Sequence, residues 1–194
     1  MIRIPVLRAV LTTAVLAVLT GLAYPLAVTG LAHLAFRTQA EGSLVYREGR
    51  AVGSALVGQR WQGPEWFHGR PSAAGYDAAA SSGSNLGPTS RRLAELIRER
   101  IRAILELEGP YNSGLRAADI PVDLLTASAS GLDPHISPAA AELQAPRIAA
   151  VQGIPLREIR RLIAEHTEGR TVGLLGEPRV NVLELNLALE GVTG

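Results

Sequence analysis

Leu11 to Leu34, LTTAVLAVLTGLAYPLAVTGLAHL, is a run of 24 residues drawn mainly from Leu, Ala, Val and Thr. Between Arg8 and Arg37 no residue carries a permanent charge. As a helix rising about 1.5 Å per residue, the run is roughly 36 Å long, enough to cross a hydrocarbon core of about 30 Å with some tilt. A secretory leader with Arg3 and Arg8 as its basic region is the alternative, but its apolar core normally has only about 7 to 15 residues. No second stretch of this length follows. The sequence therefore predicts a tail and single transmembrane helix over residues 1–36, followed by one soluble domain over residues 37–194.

Charge sets the sidedness only weakly. Arg3, Arg8 and the amino terminus precede the helix, and Arg37, Arg47 and Arg50 follow it. Setting aside Arg3 and Arg8, the other 17 of the 19 basic residues face all 18 acids, so the domain is close to neutral. Long folded domains translocate largely regardless of charge, and the reading favours an amino terminus inside and a domain outside. Within the span, Thr13, Ala17 and Gly21 recur every fourth residue. Such a small-residue face lets another helix approach closely, although small residues are common in any Ala-rich span. Pro25 cannot donate to the carbonyl of Gly21, which predicts a kink.

The wider composition excludes several chemistries. Every basic residue is arginine, and there is neither lysine nor cysteine among the 194 residues. That rules out a phosphate-binding or Schiff-base lysine, a thiol nucleophile, disulfides and Cys-ligated metal. A formal net charge of +1 argues against nucleic acid as a partner.

Beyond the anchor the pattern is that of an α/β (α+β) domain. Ser43–Arg47 and Ala51–Val57 read as a hairpin around Glu48-Gly49-Arg50. Residues 58–88 lack periodicity yet hold Trp61, Trp66, Phe67 and Tyr76, aromatics that call for burial. Pro88-Thr89-Ser90 opens a helix running to about Leu107 with Leu93, Ile97, Ile101, Ile104 and Leu105 on one stripe. Pro121–Ala127 reads as a short strand. Ser137-Pro138 starts a helix that contains Pro146, and another begins near Pro155 with Leu156, Ile159, Leu162 and Ile163 inward. Thr171–Leu175 reads as a strand and Val182–Leu189 as a closing helix capped by Asn181.

Polar residues gather in two loops. The first runs from Gly69-Arg70-Pro71-Ser72 to Ser84-Asn85-Leu86-Gly87-Pro88. Its Gly/Ser content suits turns better than an anion site, and Arg70 has Asp77 as a carboxylate partner within reach. The second, Ser128–Ser137, holds Ser130, Asp133 and His135. These three residue types compose acyl-transfer sites, so a membrane-tethered extracytoplasmic hydrolase is one reading. No Gly-x-Ser-x-Gly elbow occurs, however, and Asp133 and His135 also suit turn and cap roles. Two such residues are too few for a metal centre.

Five motifs in order carry a more specific signal: GSALVGQ (Gly53–Gln59), GRPS (Gly69–Ser72), SNLGP (Ser84–Pro88), TASASGLDPHIS (Thr126–Ser137) and LGEPRVNVL (Leu175–Leu183). With the anchor and its Tyr24-Pro25, they resemble the KdpC family, the C subunit of the bacterial potassium-transporting P-type ATPase. The resemblance implies a non-pumping accessory subunit of a high-affinity, ATP-driven uptake complex in the bacterial cell (inner) membrane. Its implied partners are a channel-like potassium-binding subunit, a P-type ATPase subunit and a small single-span subunit. The lysine-free chain lacks the Asp-Lys-Thr-Gly context that a P-type pump phosphorylates, and a single span provides no filter loop between membrane segments.

Two roles are implied for such a subunit. One is assembly and stabilisation of the complex through Thr13, Ala17 and Gly21 in the membrane and Arg70, Ser84, Asn85, Asp133 and His135 in the domain. The other is a catalytic chaperone that raises the pump subunit's ATP affinity. In that role Gln144, before Pro146-Arg147, would touch an ATP shared with the pump, no cofactor being tightly bound to this chain. An outside domain would confine such an effect to coupling through the membrane helices.

Overall fold

The computed structural model describes residues 3–193; Met1 and Ile2 of the expected tail and Gly194 of the expected domain lie outside them. The chain forms two compact units, residues 1–52 and 53–194.

In the first unit, α1 (Arg3–Val18) and α2 (Tyr24–Ala35) are joined by one π turn over Leu19–Ala23. Together they give a helix, Pro5–Ala35, of 31 residues, the one helix among the described residues long and apolar enough to cross a membrane. The proline acts as a change of helical register. Pro25 has no N–H to offer, and just ahead of it the Tyr24 N–H reaches back five residues to Leu19 O. One turn earlier the Thr20 hydroxyl donates to Leu16 O at 2.7 Å. A single short turn, α3 (Arg37–Ala40), follows, and then the hairpin of β1 (Leu44–Arg47) and β2 (Arg50–Ser54), whose last two residues already belong to the second unit. Glu48 and Gly49 both have positive φ, 49° and 77°, as a two-residue turn matched to strand twist requires.

The second unit is built on α4 (Arg91–Glu108), α5 (Pro138–Gln152), α6 (Leu156–Glu165) and α7 (Val182–Thr193). A small antiparallel sheet accompanies them, with β5 (Arg179–Asn181) between β3 (His135–Ile136) and β4 (Thr167–Glu168). Ser90, Ser137 and Asn181 cap their helices by accepting the N–H groups of Leu93, Ala140 and Glu184. Ala140, Ala141 and Ala145 are fully buried on α5, and small side chains there let α6 lie close, with Ile148, Ile159, Leu162 and Ile163 between them. Leu185 and Leu189 of α7 complete the core with Ile136 and Val180.

Two expected strands have other forms. Val122–Leu124, inside the run Pro121–Ala127, is a turn of 3-10 helix. Pro121 has φ −58°, the Thr126 hydroxyl bonds back to Val122 O, and Leu124 and Leu125 both turn inward. A β-compatible composition alone does not make a strand. Thr171–Leu175 is a tight turn closed by a single bridge between its ends, and the pairing strand comes later, at Arg179–Asn181.

The long segment before α4 solves a problem of unpaired backbone. Phe67 is fully buried although no strand runs beside it. Side chains provide the missing ladder. Asn186 accepts from Phe67 N and donates to Phe67 O, both at 2.9 Å. Gln144 does the same for the next residue, accepting from His68 N at 2.8 Å and donating to His68 O at 3.1 Å. The Gln152 amide donates to Glu65 O, and the Arg147 guanidinium donates to Pro64 O and Trp66 O. Every carbonyl from Pro64 to His68 is thus held by an amide or a guanidinium, which permits Phe67 to be buried without a strand beside it.

Arg147 is completely buried and also donates to Glu108 at 2.9 Å and to Gln144 at 3.1 Å. Arg147→Ala would leave the buried Glu108 without its countercharge and the carbonyls of Pro64 and Trp66 without their donor. A loss of about 3 to 5 kcal/mol is expected, measured by denaturant unfolding of the full chain followed through tryptophan fluorescence. Arg147→Lys should rescue little of it, since one ammonium cannot span the positions of a planar fork.

Candidate functional site

The two polar loops meet. Gly58 N donates to Leu132 O at 2.8 Å, Ser82 N to Ser130 O at 2.9 Å, and the Ser72 hydroxyl to Gly131 O at 2.5 Å. The Ser81 hydroxyl also reaches Ser130 O. Tyr76 folds the first loop on itself: its N–H donates to Ser72 Oγ and its hydroxyl to Arg70 O. The motif glycines mark where backbone touches backbone. A Cβ at Gly58 would stand 2.5 Å from Asp133 O, and one at Gly131 would stand 2.6 Å from Ser82 O. Gly131 also has φ +68°, so both its conformation and its contact demand glycine.

Side chains then lock the seam. Arg70 Nη1 donates to Asp133 Oδ2 at 3.0 Å, while Asp133 Oδ1 accepts from His135 N at 3.0 Å and lies 3.5 Å from His135 Nδ1. Burial by itself pushes the Asp133 carboxyl up, but the hydrogen bonds from His135 and Arg70 outweigh it and hold the group below its ordinary value. Arg70 therefore pairs with Asp133 across 63 residues of sequence; Asp77, the partner expected from sequence, instead accepts from Ala79 N in its own turn. Beside this lock lies an open cleft of about 470 Å³ lined by Arg70, Asp123, Asp133, His135, Glu177 and Arg179 among others. Asp123 in its wall is fixed by Ser137, whose N–H and hydroxyl both donate to it.

The remaining candidate residues are placed apart. Ser84 and Asn85 are exposed further along the first loop, Asn85 with φ +52°. Gln144 is buried, with its amide committed to His68, Ala140 and Arg147. It borders a smaller cavity of about 180 Å³, shared with His68, Arg100, Ile104, Glu108 and Leu124. Around that cavity burial lowers the basicity of His68, whose Nε2 lies 2.8 Å from Gly63 O, and raises the Glu108 carboxyl against the opposing pull of Arg147. In the first unit Thr13, Ala17 and Gly21 are exposed, and a Cβ at Gly21 would meet nothing within 4 Å. Among the described residues no group of three or more His, Asp or Glu side chains gathers as a metal site.

Sequence reasoning missed the buried pair of Glu108 and Arg147 and the buried Asn186. The signal was present in the spacing Gln144, Arg147 and Gln152, which sets three long polar side chains along one helix next to buried alanines.

The arrangement is a braced seam whose polar side chains bond one another and the backbone. The Ser130 hydroxyl is exposed and accepts from Leu132 N at 3.1 Å, a local turn bond, and the side-chain partner of His135 is Asp133. Comparison with known proteins agrees. The sequence model of the KdpC family, described as K+-transporting ATPase, c chain, matches residues 6–191. The chain belongs to the KdpC family. Similar KdpC proteins, each named potassium-transporting ATPase KdpC subunit, come from Polaromonas naphthalenivorans, 57% identical over 92% of this chain and 90% of the relative, and from Sorangium cellulosum, 56% identical over 91% and 92%. A third, from Koribacter versatilis, is 50% identical over 95% of this chain and 93% of its own. KdpC membership makes this an accessory subunit of a potassium-transporting ATPase and leaves the hydrolase reading without support.

Two outcomes test the seam. Gly131→Ala should cost about 2 kcal/mol or more, because it combines a left-handed backbone with a backbone clash, and the fall in unfolding midpoint reports it. Asp133 has a depressed folded value, so its contribution is complete above its unfolded value of about 3.9 and is lost as pH falls below that through the folded value. Unfolding midpoints taken from pH 7 downward should show this acid loss in the unaltered chain and a smaller one in Asp133→Asn.

Proposed function

We propose that this KdpC chain assembles and stabilises a high-affinity, ATP-driven potassium uptake complex, anchored in the bacterial cell membrane by its apolar helix with the larger unit outside the cytoplasm. The supporting observation is how the seam uses its polar groups: Arg70, Asp133, Ser72 and Tyr76 bind one another and the backbone, which makes a rigid surface rather than a reaction centre. Such a surface suits a subunit whose partners supply the chemistry. Those partners are a channel-like potassium-binding subunit, a P-type ATPase subunit and a small single-span subunit.

Thr13, Ala17 and Gly21 receive partner helices in this reading. The exposed apolar span and the empty space at Gly21 leave room for a close helix crossing. Arg70, Ser84, Asn85, Asp133 and His135 form or flank the surface offered to partner loops. A catalytic-chaperone role acts at a distance here: Gln144 would have to exchange one of its internal hydrogen bonds to touch ATP, whereas a change in helix packing alters the pump's ATP affinity through coupled states.

Gly21→Leu should weaken the complex by about 1 kcal/mol, a drop of about fivefold in ATPase subunits recovered with the full chain from detergent; unchanged recovery removes the helix-docking role. Sidedness has its own measurement. Protease added outside spheroplasts should digest the larger unit, and protection there would place it in the cytoplasm.

A further inference from the structure

The segment between β4 and β5 presents an apolar finger that the fold leaves bare. Arg170 and Glu177 close its base, Arg170 Nη2 donating to both carboxylate oxygens at 2.9 and 3.0 Å, and Thr171 and Leu175 exchange both backbone hydrogen bonds above it. At the tip Val172, Leu174 and Leu175 are 87%, 80% and 67% exposed. Val172 has φ +55°, a left-handed conformation that a β-branched residue adopts only at a cost. The turn thus holds three large apolar side chains outward on a braced base. An apolar projection of this kind marks a contact surface.

What covers it is indicated by its surroundings. A loop that dips into lipid relies on unpaired basic residues and on interfacial Trp or Tyr beside its apolar tip. Here the nearby arginines are neutralised, Arg170 by Glu177 and Arg179 by Glu168, and residues 170–179 contain no aromatic. The same base continues into the seam cleft, where Glu177, Pro178 and Arg179 share the wall with Arg70, Asp123 and His135. That wall offers donors and acceptors of both signs. A polypeptide carries both kinds of partner group beside apolar pockets.

We propose that the finger Val172–Leu175 inserts into an apolar pocket on another subunit of the same ATPase, while a polar strand or loop of that subunit occupies the adjoining cleft. This rests on the assembly role above and adds to it a specific contact outside the membrane helix.

The absence of cysteine supplies the test. Leu174→Cys introduces a single thiol at an exposed site of the full chain. In the purified complex its labelling by a water-soluble maleimide should be slower than in the isolated full chain by on the order of tenfold, as expected for a residue seated in a desolvated pocket. A benzophenone attached to that thiol should yield an adduct with another subunit on illumination. Equal labelling rates in an intact complex would overturn the finger and leave the assembly role standing, and adducts to lipid alone would overturn the polypeptide partner. Failure of the unaltered chain to join the complex would instead overturn the assembly role. Leu174→Asp, which places a charge at the same tip, should raise the dissociation of the complex severalfold without moving the unfolding midpoint of the isolated chain. A lowered midpoint with unchanged dissociation would assign the finger to folding and overturn the contact.

Discussion

The second unit is organised around the burial of one guanidinium. Arg147 sits at zero exposure and bonds a carboxylate on α4, an amide on its own helix and two carbonyls of the segment that precedes α4. A buried charge is tolerable only with a countercharge and with its remaining donors satisfied, so the positions of Glu108, Gln144, Pro64 and Trp66 are linked. Asn112 extends the arrangement by donating to Glu108 O and Leu143 O. Specificity is the gain from such a network. A purely apolar interface would let the loop slide, whereas five consecutive carbonyls matched to fixed donors allow one register.

That register carries outward to the seam. Once Phe67 and His68 are fixed, Arg70 two residues on is placed to meet Asp133, and Ser72 to meet Gly131. On the far side Val182 N donates to Pro134 O and the Asn181 amide to Ala55 O, so the start of α7 ties the same loops from behind. The polar residues that looked most like chemistry are therefore spent on mutual support. In an accessory subunit of a potassium-transporting ATPase, a face that is already ordered loses little freedom on docking.

Much of this was legible in the sequence where a single physical signal dominated. The charge-free run from residue 9 to 36, the amphipathic stripe of α4 and the capping residues Ser90, Ser137 and Asn181 each announce their structure locally. Gly131 and Gly58 stood out as motif residues, but the reason for them is tertiary, a backbone crossing that no local pattern encodes. The two strand failures share one cause. Pro121–Ala127 and Thr171–Leu175 have strand composition, yet neither has a neighbouring strand, and a strand is defined by its partner. Arg70 was given the nearest carboxylate in sequence, while folding supplied a better placed one 63 residues away. Buried polar groups are hardest to read in advance, because Arg147 in a row of residues looks like any surface arginine.

The clasp between Phe67 and Asn186 joins residues 119 positions apart. A ribosome that has just passed residue 68 has made a loop whose holders do not yet exist: Gln144 appears some 76 residues later, and Asn186 later still. Until then Trp61 and Trp66 have only each other to pack against within the segment, and its carbonyls remain in water. The unit closes late and as a whole, and contacts of such long separation slow that closure. In the interval the chain already carries its apolar helix, so membrane insertion can precede the folding of the unit that follows it.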